Sequence, residues 1–372
     1  MHNPDVIVIG AGIVGAACAH ALAHVGQSVL VLDARLGGAT HAGMGHLVVM
    51  DDNPAELALS QASLAQWHAW APRMAAEAPH TAFNACGTLW VAADAEEMQE
   101  AEHKRQRLQA HGIACELLGA AQLAALEPVL RPGLHGALRV CGDGMVYAPS
   151  AAEWLLGHAA RPIRVEARRA CRIDGRRVHC EDGSVHEGGA VLLAAGIHAT
   201  QFCPELPLRP KKGHLAITDR GSATVHHQLV ELGYVKNAHQ TEGTSVAFNL
   251  QPRPTGQWLL GSSRQFDTLD PAVDNAVLAR MLRRAMEYVP ALADRNAIRT
   301  WTGFRAATPD GLPIIGRHPE HAHLWLAVGH EGLGVTTAPA TADLVVASLL
   351  GTAPPTDPAP YAPTRFAQEY AA

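Results

Sequence analysis

The first chemical signal is a set of three glycines near the start of the chain. Gly10-Ala-Gly12-Ile-Val-Gly15 follows the apolar run Val6-Ile7-Val8-Ile9. It precedes apolar positions at Ile13, Val14, Ala17, Cys18, Ala21, Leu22 and Val25, which is helical spacing. Asp33 closes a second apolar run from Ser28 to Leu32. This spacing suits a dinucleotide. Gly10 permits a tight turn, Gly12 lets backbone amides approach a pyrophosphate at a helix N-terminus, and Gly15 lets helix and strand pack closely. Asp33 would accept hydrogen bonds from an adenosine ribose. The motif leaves FAD and NAD equally open.

Two further runs are rich in small residues. Arg35-Leu-Gly-Gly-Ala-Thr40-His41-Ala-Gly43-Met44-Gly45-His46 suits a flat or anionic group lying against the backbone; a flexible loop is the plainer alternative. The second is Trp301-Thr-Gly-Phe-Arg305-Ala-Ala-Thr-Pro-Asp310-Gly-Leu-Pro-Ile-Ile-Gly316. It is followed by Ala327-Val-Gly329-His330-Glu331-Gly332-Leu333-Gly334-Val335-Thr336-Thr337.

The elements that must position these residues can be read in outline. Residues 6–32 form a strand, helix, strand unit with Gly26 as helix stop. Asn53-Pro54-Ala-Glu56 reads as an N-cap, a first-position proline and a capping acid, opening a helix toward Ala78. Asp94 with Glu97 opens a polar helix to His111-Gly112. Short strands are expected over 162–196 and four more over 213–262, with an amphipathic helix from Asp274 to Val289. Leu324–Val328 reads as a strand and Val335–Leu350 as a helix closed by Gly351, before an extended Pro-rich tail. Dinucleotide-type units at both ends with β-rich material between them predict an α/β plus α+β protein. It would have a Rossmann-like domain from 1–80, 144–203 and 304–372, and an inserted antiparallel-sheet domain from 81–143 and 204–303.

Composition narrows the classes. The 372 residues are 48% hydrophobic and 17% charged, too apolar for a disordered chain and too mixed for a membrane bundle. A net charge of −6 gives no footprint for nucleic acid. The uncharged stretch Val6 to Ala23 is broken by glycines and lacks a basic flank, so it reads as strand, turn and helix rather than a signal peptide or a span. Seven Cys, an odd number without CxxC spacing, fit a reducing cytoplasmic setting, at most peripheral to an inner membrane. The 22 His invite a metal reading. However, His20 and His24 lack an acid or third ligand nearby, His226 and His227 are adjacent on an expected strand, and His318, His321 and His323 sit in a turn. A solvated role and no metal is the expectation. The arginines between Arg161 and Arg177 read as the outer face of a β-meander.

The first glycine turn and the long C-terminal run, together with Ala194-Ala195-Gly196, resemble the D-amino-acid-oxidase-like flavoprotein superfamily, in the branch with glycine oxidase, sarcosine oxidase and D-amino-acid dehydrogenases. The segments 41–52, 209–214 and 227–234 further resemble D-hydroxyproline dehydrogenase-type enzymes. The resemblance implies FAD, with Gly10, Gly12, Ile13, Val14, Gly15, Asp33, Ala34, Arg35 and Thr40 at its adenosine and pyrophosphate. Ala170, Ala195 and Gly196 would lie beside it, and Gly43, Met44, Gly45 and His46 near the isoalloxazine. Gly332, Leu333, Gly334, Val335 and Thr336 would meet the N1/C2=O edge, where a helix N-terminus stabilises the negative charge of reduced flavin.

Arg305 matches the arginine that holds a substrate carboxylate; a structural pair with Asp310 is its alternative. Glu331 stands where some relatives have a second basic residue. Tyr234 would cover the substrate, or fill the core. His41 is out of register with the histidine that carries covalent flavin in some relatives, and Lys211 and Lys212 are candidates to approach the flavin. The implied reaction moves hydride from Cα of a D-amino acid, or of a cyclic secondary one such as cis-4-hydroxy-D-proline, to flavin N5, giving an imine. A 2-hydroxy-acid oxidoreductase and a FAD-binding subunit of a larger dehydrogenase are the alternatives. The electron acceptor, whether oxygen, quinone or a partner redox protein, is left open.

Overall fold

The computed structural model of the chain describes residues 3–233 and 243–366. Two sheets organise it. The first has six strands in the order Ile314–Arg317, Leu324–Val328, Ala190–Leu193, Val6–Ile9, Val29–Leu32 and Arg164–Glu166. All neighbours are parallel except the outer pair of Ile314–Arg317 with Leu324–Val328. The three central strands are buried along their whole length, as expected where both faces are covered. Alternation divides their side chains. Val6, Val8, Val29, Val31 and Leu192 pack against the helices Ile13–His24, Pro54–Glu77, Ala148–Gly157 and Gly334–Leu350. Ile7, Ile9, Leu30, Leu32, Val191 and Leu193 pack against a three-stranded antiparallel layer over Ala170–Glu187.

The second sheet has eight strands in the order Ala297–Ala307, Arg209–Thr218, Trp258–Phe266, Thr244–Pro252, Gln228–Glu231, Thr88–Ala92, Gly136–Val140 and Cys115–Gly119. It departs from the wholly antiparallel expectation at one seam, where Gln228–Glu231 runs parallel to Thr88–Ala92. These two strands come from distant parts of the chain, so no hairpin dictates their direction. One face of the sheet is closed by the helix Asn275–Tyr288, whose N-cap Asp274 accepts from Ala276 and Val277 N–H. Its Met281, Ala285 and Tyr288 bury against Leu229, Phe248, Leu250 and Leu260, at roughly 2 kcal/mol per large side chain. The other face turns toward residues 38–47, where Met44 packs on Leu215 and Leu259.

Local signals held where they concern caps. Asn53 Oδ1 accepts from Glu56 N–H at 2.9 Å, and Gly351 ends the last long helix with φ +67°. The tail runs without helix or strand and largely exposed over 352–358, and only its end departs from the extended expectation. That end folds into two short turns, buries Tyr361 and ties its hydroxyl to Ala55 O at 2.6 Å.

Candidate active site

The first glycine turn is sterically obligatory. Gly10 has φ +107°, and a Cβ on Gly15 would stand 2.0 Å from Gly10 O. Asp33 ties the turn together: its Oδ2 accepts from Ala11 N–H and its Oδ1 from Arg35 N–H, both at 2.6 Å. Ile13 N–H donates to Thr40 Oγ1 at 2.9 Å, which brings the second small-residue run onto the first. The helix beginning at Ile13 has an N-cap, Gly12, that offers no side chain, and its first turn carries no acid, so apart from the Ile13 N–H taken by Thr40 its N-terminal dipole stays available to an anion. Ala194 O lies against Gly10 and Gly196 has φ +55°; Ala170 and Ala195 pack in the layer beneath. Val14 and Ala34 are half-buried, and Arg35 is exposed.

The third run closes on the same place. The helix Gly334–Leu350 also begins without a side-chain cap or an acid in its first turn. Gly334 approaches Val14, Trp67 Nε1 donates to Val335 O at 3.1 Å, and Thr336 Oγ1 donates to His46 O at 2.9 Å. Glu331 and Gly332 make the turn before this helix, closed by Leu333 N–H donating to His330 O at 3.0 Å. Between the two helices runs the segment Gly43 to His46. Gly45 has φ +81°, and a Cβ there would meet Val146 O at 1.9 Å. Met44 O accepts from Arg253 Nη2 at 2.9 Å.

His46 is half-buried. Burial and the charges of Arg253 and Arg305 push its pKa down to about 4, although a hydrogen bond to Gln228 opposes them, so it is neutral at physiological pH. Arg305 lies over Gly213, where a Cβ would sit 2.9 Å from its guanidinium, and Nη1 donates to Ser263 O at 3.1 Å. Its expected local partner is otherwise engaged: Asp310 pairs with Arg365 at 2.7 Å. Glu331, in a left-handed backbone conformation, receives Lys211 Nζ at 2.6 Å. Burial alone would raise the Glu331 carboxyl, but Lys211, Arg305 and Arg264 hold it at about 2. Lys212 points elsewhere and donates to Ala272 O. Tyr234 lies outside the described residues.

Three histidines expected in solvent are core groups. His20 donates through Nδ1 to Leu155 O at 2.8 Å, and His227 pairs with buried Glu127 at 2.7 Å. His318 pairs through Nε2 with Glu205 at 3.0 Å while Nδ1 accepts from Glu320 N–H. Cys203 stands beside that pair. Each lies where the chain folds back on a distant segment, so a local reading finds no partner for it. Sequence reasoning also passed over Gln228 and Gln251, which contact His46. Their signal was present: both are polar positions set in apolar strands.

Two helix ends without an acid in their first turns, a neutral histidine and a guanidinium are groups that suit an elongated anionic molecule at one end and a carboxylate at the other. A family model, FAD dependent oxidoreductase, matches residues 5–348. The chain is 28% identical to a glycine oxidase of Pseudomonas putida over 97% of this chain and 98% of that one. It is 31% identical to a D-proline dehydrogenase of Pyrobaculum islandicum over 61% of this chain and 58% of that one. The fold superposes on a crystal structure of glycine oxidase from Geobacillus kaustophilus with a TM-score of 0.86 at 24% identity, covering 98% of this chain and 99% of that one. The family match runs through both glycine turns and Arg305, so the chain belongs to the FAD-dependent oxidoreductases and its cofactor is FAD.

Proposed function

We propose that the protein oxidises the C–N bond of a small amino acid, a D-amino acid or a cyclic secondary one such as cis-4-hydroxy-D-proline, to the imine. The observation that carries this reading is Arg305. It is a guanidinium free of Asp310, lodged between the eight-stranded sheet and the Gly332 turn, with neutral His46 close enough to feel its charge. The relation to a glycine oxidase and a D-proline dehydrogenase supports an amino-acid substrate. We further propose that residues 1–80, 144–203 and 304–372 hold FAD and that 81–143 and 204–303 hold the substrate.

The residues present fit FAD. The turn Gly10, Gly12, Gly15 and the helix end at Ile13 would take the pyrophosphate, with Asp33, Ala34, Arg35, Thr40 and Ala170 around the adenosine. Gly43 to His46 and Gly332 to Thr336 would border the ring system, with Ala195 and Gly196 alongside. Bound FAD accepts the hydride. Arg305 would grip the substrate carboxylate in a bidentate way and fix the direction of the Cα–H bond. The enclosed surroundings disfavour an ammonium and so favour the neutral amine that the reaction needs.

Anaerobic titration of the purified yellow protein with a panel of D-amino acids, N-methyl amino acids and 2-hydroxy acids tests the proposal. Bleaching by cis-4-hydroxy-D-proline or another amino acid is the expected result; bleaching by hydroxy acids alone overturns it. Peroxide release beside dye reduction then separates oxygen from other acceptors. Among the described residues no helix is long and apolar enough to cross a membrane.

A further inference from the structure

Gln228 is buried on the face of the eight-stranded sheet that meets His46. Its Nε2 donates to Gly144 O and, at 3.3 Å, to Thr88 Oγ1. A backbone carbonyl only accepts, so the amide cannot be flipped, and Oε1 must face the imidazole. Oε1 accepts from Gln251 Nε2 at 2.7 Å and stands 2.7 Å from His46 Nδ1. An amide oxygen carries no proton, so this contact, the shorter of the two on Nδ1, is a hydrogen bond only with the proton on Nδ1. Gln251 Nε2 is also 2.9 Å from Nδ1 and would serve the other tautomer. That tautomer would leave two lone pairs facing each other across the Gln228 contact.

His46 Nε2 has no hydrogen-bond partner among the described residues. With Nδ1 protonated, Nε2 presents a lone pair. A second proton is opposed by Arg253 and Arg305, the charged groups that act on the ring, and by its burial. We propose that Gln228 is a positioning residue that holds His46 in the Nδ1–H tautomer, so that Nε2 accepts a hydrogen bond from the amine N–H of the substrate. The clause about the amine rests on the amino-acid reading above; the tautomer does not. The arrangement would orient the substrate at two points, with the carboxylate on Arg305 and the amine on His46.

The test is long-range proton–nitrogen correlation NMR on holoenzyme labelled with 15N-histidine, with His46 assigned by its loss in His46→Asn. The expected pattern is a protonated, pyrrole-type Nδ1 and an unprotonated, pyridine-type Nε2, unchanged between about pH 6 and 9. In Gln228→Met the acceptor is gone and the Gln251 amide remains, so the two nitrogens should exchange roles. KM for the amino-acid substrate should rise about tenfold with a smaller change in kcat. Gln251→Met removes the competing donor, together with its hydrogen bond to Gln228 Oε1, and should keep the wild-type pattern. A pyridine-type Nδ1 in the wild-type protein overturns the proposal, and so does an unchanged pattern in folded Gln228→Met. If Gln228→Met fails to fold, the wild-type and Gln251→Met spectra still decide. The predicted NMR pattern in a protein whose flavin no amino acid bleaches would defeat the substrate reading and leave tautomer control by Gln228 standing.

Discussion

Replacing Arg305 with Ala removes one cation from the group around Glu331. Lys211 Nζ remains 2.6 Å from the Glu331 carboxylate, so no buried charge is newly orphaned and the variant should fold. The loss falls on the substrate. A bidentate carboxylate grip comprises two charged hydrogen bonds worth about 1.5–3 kcal/mol each. Water takes over part of that in the variant, and one donor of Arg305 already serves Ser263 O, so about 3 kcal/mol is a fair net loss. At 1.4 kcal/mol per decade, the substrate Kd should rise about 150-fold. Arg305→Lys keeps the charge and loses the planar fork, for an expected rise of about tenfold. Anaerobic stopped-flow measurement of flavin reduction against substrate concentration gives Kd and the limiting rate separately. A variant with full flavin content, a wild-type melting temperature and an unchanged Kd would refute the assignment.

Three further outcomes test the physical reading. Burial raises the Glu56 carboxyl to about 8, with Asp52 and Glu331 adding to the effect, and its Oε2 has no partner. The folded protein then keeps a proton that the unfolded chain releases above 4.5, so stability should fall as pH rises from there to about 8. Glu56→Gln should raise Tm more at pH 8 than at pH 5; a pH-independent difference contradicts this. Lys104 and Asp51 form an ion pair in which both side chains are almost wholly buried, with Arg107 also on Asp51. Urea titration of Lys104→Met should show a loss of about 3 kcal/mol, most of it recovered in the double variant with Asp51→Asn; a loss under 1 kcal/mol would show that the pair is dispensable. Gly15→Ala places a Cβ 2.0 Å from Gly10 O, so the variant should lose both flavin and thermal stability, and a normal visible spectrum at wild-type Tm would count against the turn's role.

What could be read in the chain was local. The glycine turn, the caps at Asn53 and Asp94 and the stop at Gly351 each depend on residues within a few positions, and the structure places them as their chemistry requires. What could not be read was pairing across long separations. The apolar pair Leu229-Val230 lets Gln228–Glu231 read as a strand but does not say that it lies beside Thr88–Ala92, nor in which direction. The nearest acid to Arg305 in sequence is Asp310, yet the chain end brings Arg365 to it, and Lys211 finds Glu331 at a separation of 120 residues. The histidines misled for the same reason. A residue type carries its hydrogen-bonding capacity, but only the fold supplies the acceptor that makes a buried His20 or His318 acceptable.

The contact between Thr336 and His46 joins residues 290 positions apart. The strand Val6–Ile9, too, is flanked on one side by Ala190–Leu193. On a ribosome, the first glycine turn therefore emerges long before the elements that complete its surroundings. Until then the apolar strand Val6–Ile9 has only Val29–Leu32 beside it and one edge bare, a state that invites pairing with other chains. With the flavin bordered by Gly332 to Thr336 as proposed above, its capture would follow synthesis of the helix Gly334–Leu350. The yield of active protein in a cell should accordingly depend on chaperone capacity and on flavin supply after translation, more than on the rate of translation itself.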